Sequence, residues 1–132
     1  MLARHEEPAK SVMLTIGPGA DWLAVGSVMI DLRTRVSLRR IVLALAEQHR
    51  VAPGRPISCD DVFAVGWPDE RVSPRAAGAR VYTAMYTLRR MGLRGILVRR
   101  AEGYLLEPAV RVEVTPQSGA GGVGGGPMSM LS

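Results

Sequence analysis

Ser73-Pro74, followed by an unbroken helical period to Met91 and a stop at Gly92, restricts this chain's fold more than any other feature. Serine offers a side-chain acceptor to the free amides of a first turn, and proline at the first helical position loses no hydrogen bond. Ala77, Val81, Ala84, Met85 and Leu88 share one arc of the wheel, and Arg75, Ala79, Tyr82, Thr83, Tyr86 and Arg90 share the opposite one. The first arc must be buried; the second is left for solvent or a ligand. Gly78 costs about 1 kcal/mol relative to alanine inside such a helix, and close contact with a neighbouring helix is the expected reason for it.

The segment after this helix changes period. Ile96-Leu97-Val98 and Tyr104-Leu105-Leu106 flank Arg99-Arg100-Ala101-Glu102-Gly103, which predicts a β-hairpin with glycine near the end of its turn. From Arg71 to Arg100 there are eight arginines and no Asp or Glu. The whole chain carries +5, so the remainder, with nine basic and twelve acidic residues, sums to −3. Net positive charge is thus local to one stretch, a basic helix followed by a basic hairpin, the distribution expected of a nucleic-acid reader.

The rest of the chain reads as a support for that unit. Residues 1–11 are polar and mixed in charge, and are expected to be a flexible leader. Val12 to Ile16, Trp22 to Val25 and Val28 to Leu32 are short apolar runs separated by Gly17-Pro18-Gly19 and Gly26-Ser27, which predicts a small antiparallel sheet. Ser37 is expected to cap a helix reaching about Arg50, with Leu38, Ile41, Val42 and Leu45 as its apolar stripe. Ser58 is expected to cap a short helix with Asp60 and Asp61 in its first turn, ended by Gly66-Trp67-Pro68. Trp67 is expected to cover one end of the core. Val110 to Val114 alternates and can add an edge strand. From Thr115 onward Gly, Ser and Pro dominate, so residues 115–132 are expected to form a disordered tail. The folded domain is expected to span 12–114.

Several functions are disfavoured by composition and spacing. The only cysteine, Cys59, excludes an internal disulfide and fits a reducing, cytoplasmic setting. No apolar run approaches the roughly 18 residues of a membrane span, and the first residues lack the apolar core of a signal peptide. His5 and His49 are far apart with one cysteine between them, which is not a metal-ligand spacing. Asp60-Asp61 reads as helix-start charge and not as an acid–base pair, and no serine has evident His and Asp companions. Gly119 to Gly126 lacks the strand-to-helix setting of a phosphate loop. No enzymatic activity and no cofactor are expected.

Sheet, helix, short helix, long helix and hairpin is the order of a winged helix-turn-helix, an α+β fold with three helices, an N-terminal sheet and a C-terminal hairpin wing. The residues resemble the OmpR/PhoB-type effector domain and the related domain of the Streptomyces antibiotic regulatory (SARP) activators. Ile96, Arg100, Gly103, Tyr104 and Leu106 stand where that family has Ile, Arg, Gly, Tyr and Leu in its wing. Leu88-Arg89-Arg90 matches the end of the family's recognition helix, and Trp67 the tryptophan after its second helix. The resemblance covers roughly Val12 to Glu107 and is strongest after Ile57. Val98 replaces the wing threonine, Ala101 replaces the first wing glycine, and the Gly92 to Gly95 loop is short. Only about ten residues precede the sheet, so a receiver domain of the family's kind is not expected there.

The resemblance implies a bacterial transcriptional regulator that binds double-stranded DNA, alone or as a homodimer. Residues 73–91 would enter the major groove through Arg75, Ala79, Tyr82, Thr83, Tyr86 and Arg90, with Arg99 and Arg100 of the wing on phosphates or a minor groove. The competing expectation is a winged-helix module that holds an acidic regulatory protein with the same surface. It would use the tyrosine-rich helix face and the wing, and the altered wing and the short loop favour it.

Overall fold

The computed structural model describes residues 12–101 and 103–116, and the leader, Glu102 and residues 117–132 lie outside them. Three strands come first: β1 (Met13–Ile16), β2 (Trp22–Val25) and β3 (Val28–Asp31), paired antiparallel as expected. The β2–β3 turn is two residues long because Gly26 sits at φ +59, a left-handed conformation open to glycine. Helices α1 (Val36–Val51), α2 (Cys59–Gly66) and α3 (Pro74–Leu88) follow, with a two-residue strand β4 (Ile57–Ser58) between the first two. Strands β5 (Leu97–Arg100), β6 (Gly103–Leu106) and β7 (Arg111–Val114) are the last elements among the described residues. Among the described residues the result is an α+β fold with three α-helices and two small sheets.

Two pairings lay beyond local pattern. Strand β7 does become an edge strand, but it joins β1 in parallel, so the first sheet is mixed, ordered β3-β2-β1-β7, and not purely antiparallel. Strand β4 pairs with β6 and makes the hairpin three-stranded, ordered β4-β6-β5. Gly103 permits this, because a Cβ there would overlap the Ile57 carbonyl.

Helix starts follow their side chains in two cases of three. The Ser58 hydroxyl accepts from the Asp61 amide at 3.1 Å and the Ser73 hydroxyl from the Ala76 amide at 3.2 Å. Ser37 is not a cap: α1 begins at Val36, with Arg35 at the cap position and no side-chain acceptor. The preceding turn sets that start. The Leu32 amide donates to Asp21 and the Arg35 amide to Leu32, so the chain is already curling before Ser37. The end of α3 also differs from the simplest reading. Its α-helical part ends at Leu88, and Arg89–Leu93 form a wider π-type turn before Gly92 reverses the chain at φ +151.

One core unites these elements. Leu14, Ile16 and Leu23 from the first sheet meet Ile41 and Leu45 of α1 and Val81, Met85 and Leu88 of α3, all essentially inaccessible. Burying side chains of this size stabilises by about 1.5–3 kcal/mol each. Trp67 lies against the core edge, stacked on Phe63 with ring centroids 5.3 Å apart. Gly66 lets α2 approach α1, since a Cβ there would stand 3.2 Å from Ile41 Cδ1. Gly78 has no such role. A Cβ at that position meets nothing within 4 Å, so the expected close helix contact is absent.

Candidate functional site

The buried stripe of α3 dictates what its opposite face presents. With Val81, Ala84, Met85 and Leu88 packed inward, Arg75, Ala79, Tyr82, Thr83, Tyr86 and Arg90 are all exposed on one side of the helix. Tyr82 is 60% and Tyr86 49% accessible, far above what a tyrosine retained for the core would show. Arg90 crosses back over Tyr86: its guanidinium carbon lies 5.8 Å from the ring centroid and Nη1 is 3.3 Å from the hydroxyl. That contact orders the cation without neutralising it.

The hairpin presents its two arginines differently from the expected turn. Residues 99 and 100 belong to β5, and only positions 101 and 102 connect the strands. Neighbouring residues on a strand face opposite sides, so Arg99 and Arg100 are not a joint patch. Arg99 is paired in register with Tyr104 and lies over its ring at 5.6 Å. Arg100 is half-exposed and reaches Glu107 at 3.7 Å. Ala101 takes φ +53, a left-handed conformation that costs a residue with a Cβ about 1–2 kcal/mol.

Not all of the arginine-rich window is available to a ligand. Arg80 is ion-paired with Glu70, which lies just outside the window, and covers the Trp67 ring at 5.9 Å. Arg89 donates from Nε to the Leu97 carbonyl at 3.1 Å. Among the described residues, no carboxylate lies within ion-pair distance of Arg71, Arg75, Arg90, Arg94 or Arg99.

Folding adds residues that no local pattern marked. The start of α1 lies alongside α3, and a groove of about 590 Å³ between them is lined by Thr34, Arg35, Val36, Ser37, Trp67, Ala79 and Thr83, among others. A smaller hollow of about 370 Å³ continues it and brings Arg35 beside Tyr86, Thr87, Arg90 and Met91. Arg35 therefore extends the basic face of α3 from some fifty positions away in the chain. Nothing near Arg35 in sequence signals this.

Among the described residues there is no cluster of His, Cys, Asp and Glu that could hold a metal. No described helix is long and apolar enough to cross a membrane. The arrangement is suited to binding: exposed guanidinium groups and aromatic edges on a rigid helix, a flanking apolar groove, and a hairpin fastened to the helix end. No family model, no curated protein and no solved structure matches the chain, so the likeness to OmpR/PhoB-type domains rests on its residues and motifs alone.

Proposed function

We propose that this chain is a cytoplasmic, sequence-specific DNA-binding regulator built as a winged helix-turn-helix, with α3 as the helix read into a major groove and β5–β6 as the wing. One observation carries the reading. Arg75, Ala79, Tyr82, Thr83, Tyr86 and Arg90 stand exposed in one row with no described acidic partner, while the rest of the chain is net negative. Arg75 and Arg90 have the donor geometry for guanine edges, and the hydroxyls of Thr83, Tyr82 and Tyr86 suit phosphates or bases. Arg99 and Arg100 leave the hairpin on opposite sides, so the wing touches a phosphate backbone with one of them at a time. Arg35 adds a further backbone contact.

The decisive experiment is a binding titration on random-sequence duplex at two salt concentrations, followed by site selection. Affinity should fall steeply with salt, with a slope of about −0.9 per phosphate neutralised. No salt-dependent binding overturns the proposal.

The groove beside α3 supports a second reading. Val36, Leu38, Trp67, Ala79 and Ala84 line it, with Arg35 and Arg80 in the same wall. It suits an apolar anchor from an acidic regulatory protein. Such a partner appears as a stoichiometric complex that Ala79→Trp abolishes by filling the groove.

A further inference from the structure

Strand β7 ends the first sheet, and among the described residues nothing pairs with its outer side. The Arg111 amide donates to Val12 at 3.2 Å and the Thr115 amide to Ile16 at 2.8 Å. Alternate residues of a strand face alternate neighbours, so the amides and carbonyls of Val112 and Val114 point away from the sheet. A groove of about 550 Å³ between this edge and α1 is lined by Leu43, Ala46, His49, Val112 and Val114, with the Glu47–Arg50 pair in its wall. Leu43 and Val114 remain 36% and 48% accessible. His49 Nε2 is buried there with no partner among the described residues. An open edge above an apolar groove is a template for another strand.

The edge is complementary to itself in one register. Its sequence is Arg111-Val112-Glu113-Val114. When two copies pair antiparallel about a two-fold axis at Val112, the outward amides and carbonyls of Val112 bond to their symmetry mates. Arg111 then stands opposite Glu113 of the second copy, twice. Moving the axis to Glu113 also satisfies the backbone, but sets Glu113 against its own copy and loses both ion pairs. Opposite charges across strands stabilise and like charges destabilise, so charge selects the first register. Arg111 and Glu113 are well exposed and only 3.7 Å apart within one strand, ready to exchange partners.

We propose that this chain dimerises through β7, antiparallel and centred on Val112, merging two four-stranded sheets into one of eight strands. Val112 and Val114 of both copies then share one sheet face and line the joined grooves beside Leu43. The proposal is independent of DNA binding. If both hold, the two-fold axis requires an inverted-repeat site.

The test is sedimentation equilibrium of the full chain, without DNA, from low to high micromolar concentration. A concentration-dependent dimer is expected. Arg111→Glu or Glu113→Arg alone places like charges opposite one another at both symmetric positions and should weaken the dimer by roughly tenfold or more. Combining the two reverses every charge while keeping the pairing, and should restore the wild-type dissociation constant. Melting temperatures equal to that of the wild type, compared at a concentration where both are monomeric, show that β7 still folds onto β1. A chain that is monomeric throughout overturns the proposal. So does a dimer indifferent to the single reversals, or one that the double reversal fails to recover.

Discussion

Arg89 Nε donates to the Leu97 carbonyl at 3.1 Å, across the turn that joins α3 to β5. This bond ties the end of the exposed basic helix to the first strand of the hairpin, at the point where the helix has already loosened into a π-type turn. Arg89 is therefore a structural cation beside an exposed one, Arg90. A hydrogen bond from a charged donor contributes about 1.5–3 kcal/mol. Arg89→Ala should lower unfolding free energy by about 1–2 kcal/mol in denaturant titrations, more than any exposed arginine of α3. An unchanged midpoint means that the hairpin needs no tie.

The exposed row behaves in the opposite way. Arg75→Ala and Arg90→Ala should each move stability by less than about 0.5 kcal/mol. Each should cost about 1–3 kcal/mol of binding to the preferred duplex and relax preference at one base position. Competition with single-position variants of the selected site measures this. Equal losses on all sequences assign the residue to phosphate instead.

Glu107 sets how much of Arg100 a ligand can use. At 3.7 Å its carboxylate partly offsets the guanidinium charge, which stays exposed. Arg100→Ala should weaken all duplexes alike and flatten the salt slope by about 0.9. Glu107→Gln should strengthen binding across sequences by releasing that charge. The salt dependence of the two variants, measured side by side, checks the pair.

Gly78 can gain a side chain without a packing cost. It lies within α3 with open space where a Cβ would go. Gly78→Ala should raise stability by about 0.5–1 kcal/mol by removing backbone freedom from the unfolded chain. A thermal melt decides it. Weaker DNA binding by the stabilised variant would indicate that the helix approaches the groove at that glycine.

Asp31 carries the acid dependence of the β3–α1 turn. Hydrogen bonds from the Arg33 side chain and amide hold its carboxyl down at about 2, against an ordinary 3.8. Its contribution is present above the ordinary value and is lost as pH falls from there toward 2, because the unfolded chain takes the proton first. Melting temperatures of wild type and Asp31→Asn should converge across that window from higher pH. Parallel curves would mean that the pair does not act in the native state.

Local chemistry was enough to specify α3 and the hairpin. Proline at the first helical position, a Ser73 side chain within reach of the Ala76 amide, a 3.6-residue apolar period and a glycine stop are all encoded within twenty residues. The same is true of the Ser58 cap and of the exposed row from Arg75 to Arg90, since burying Val81 and Leu88 leaves the opposite arc outside. What the sequence did not disclose depends on partners distant in the chain. Strand β7 alternates as any strand does, but its parallel pairing with β1 exists only because the fold returns residue 111 to Val12. Ser37 looks like a cap until the Leu32–Arg35 turn starts the helix ahead of it. Arg80 and Arg100 are basic in sequence and partly spent in space, because Glu70 and Glu107 fold back onto them from outside the arginine-rich window. Periodicity and capping are contests between neighbours and are settled within a turn or two. Strand partners, ion pairs and the arrival of Arg35 beside Arg90 are settled by which surfaces the core brings together.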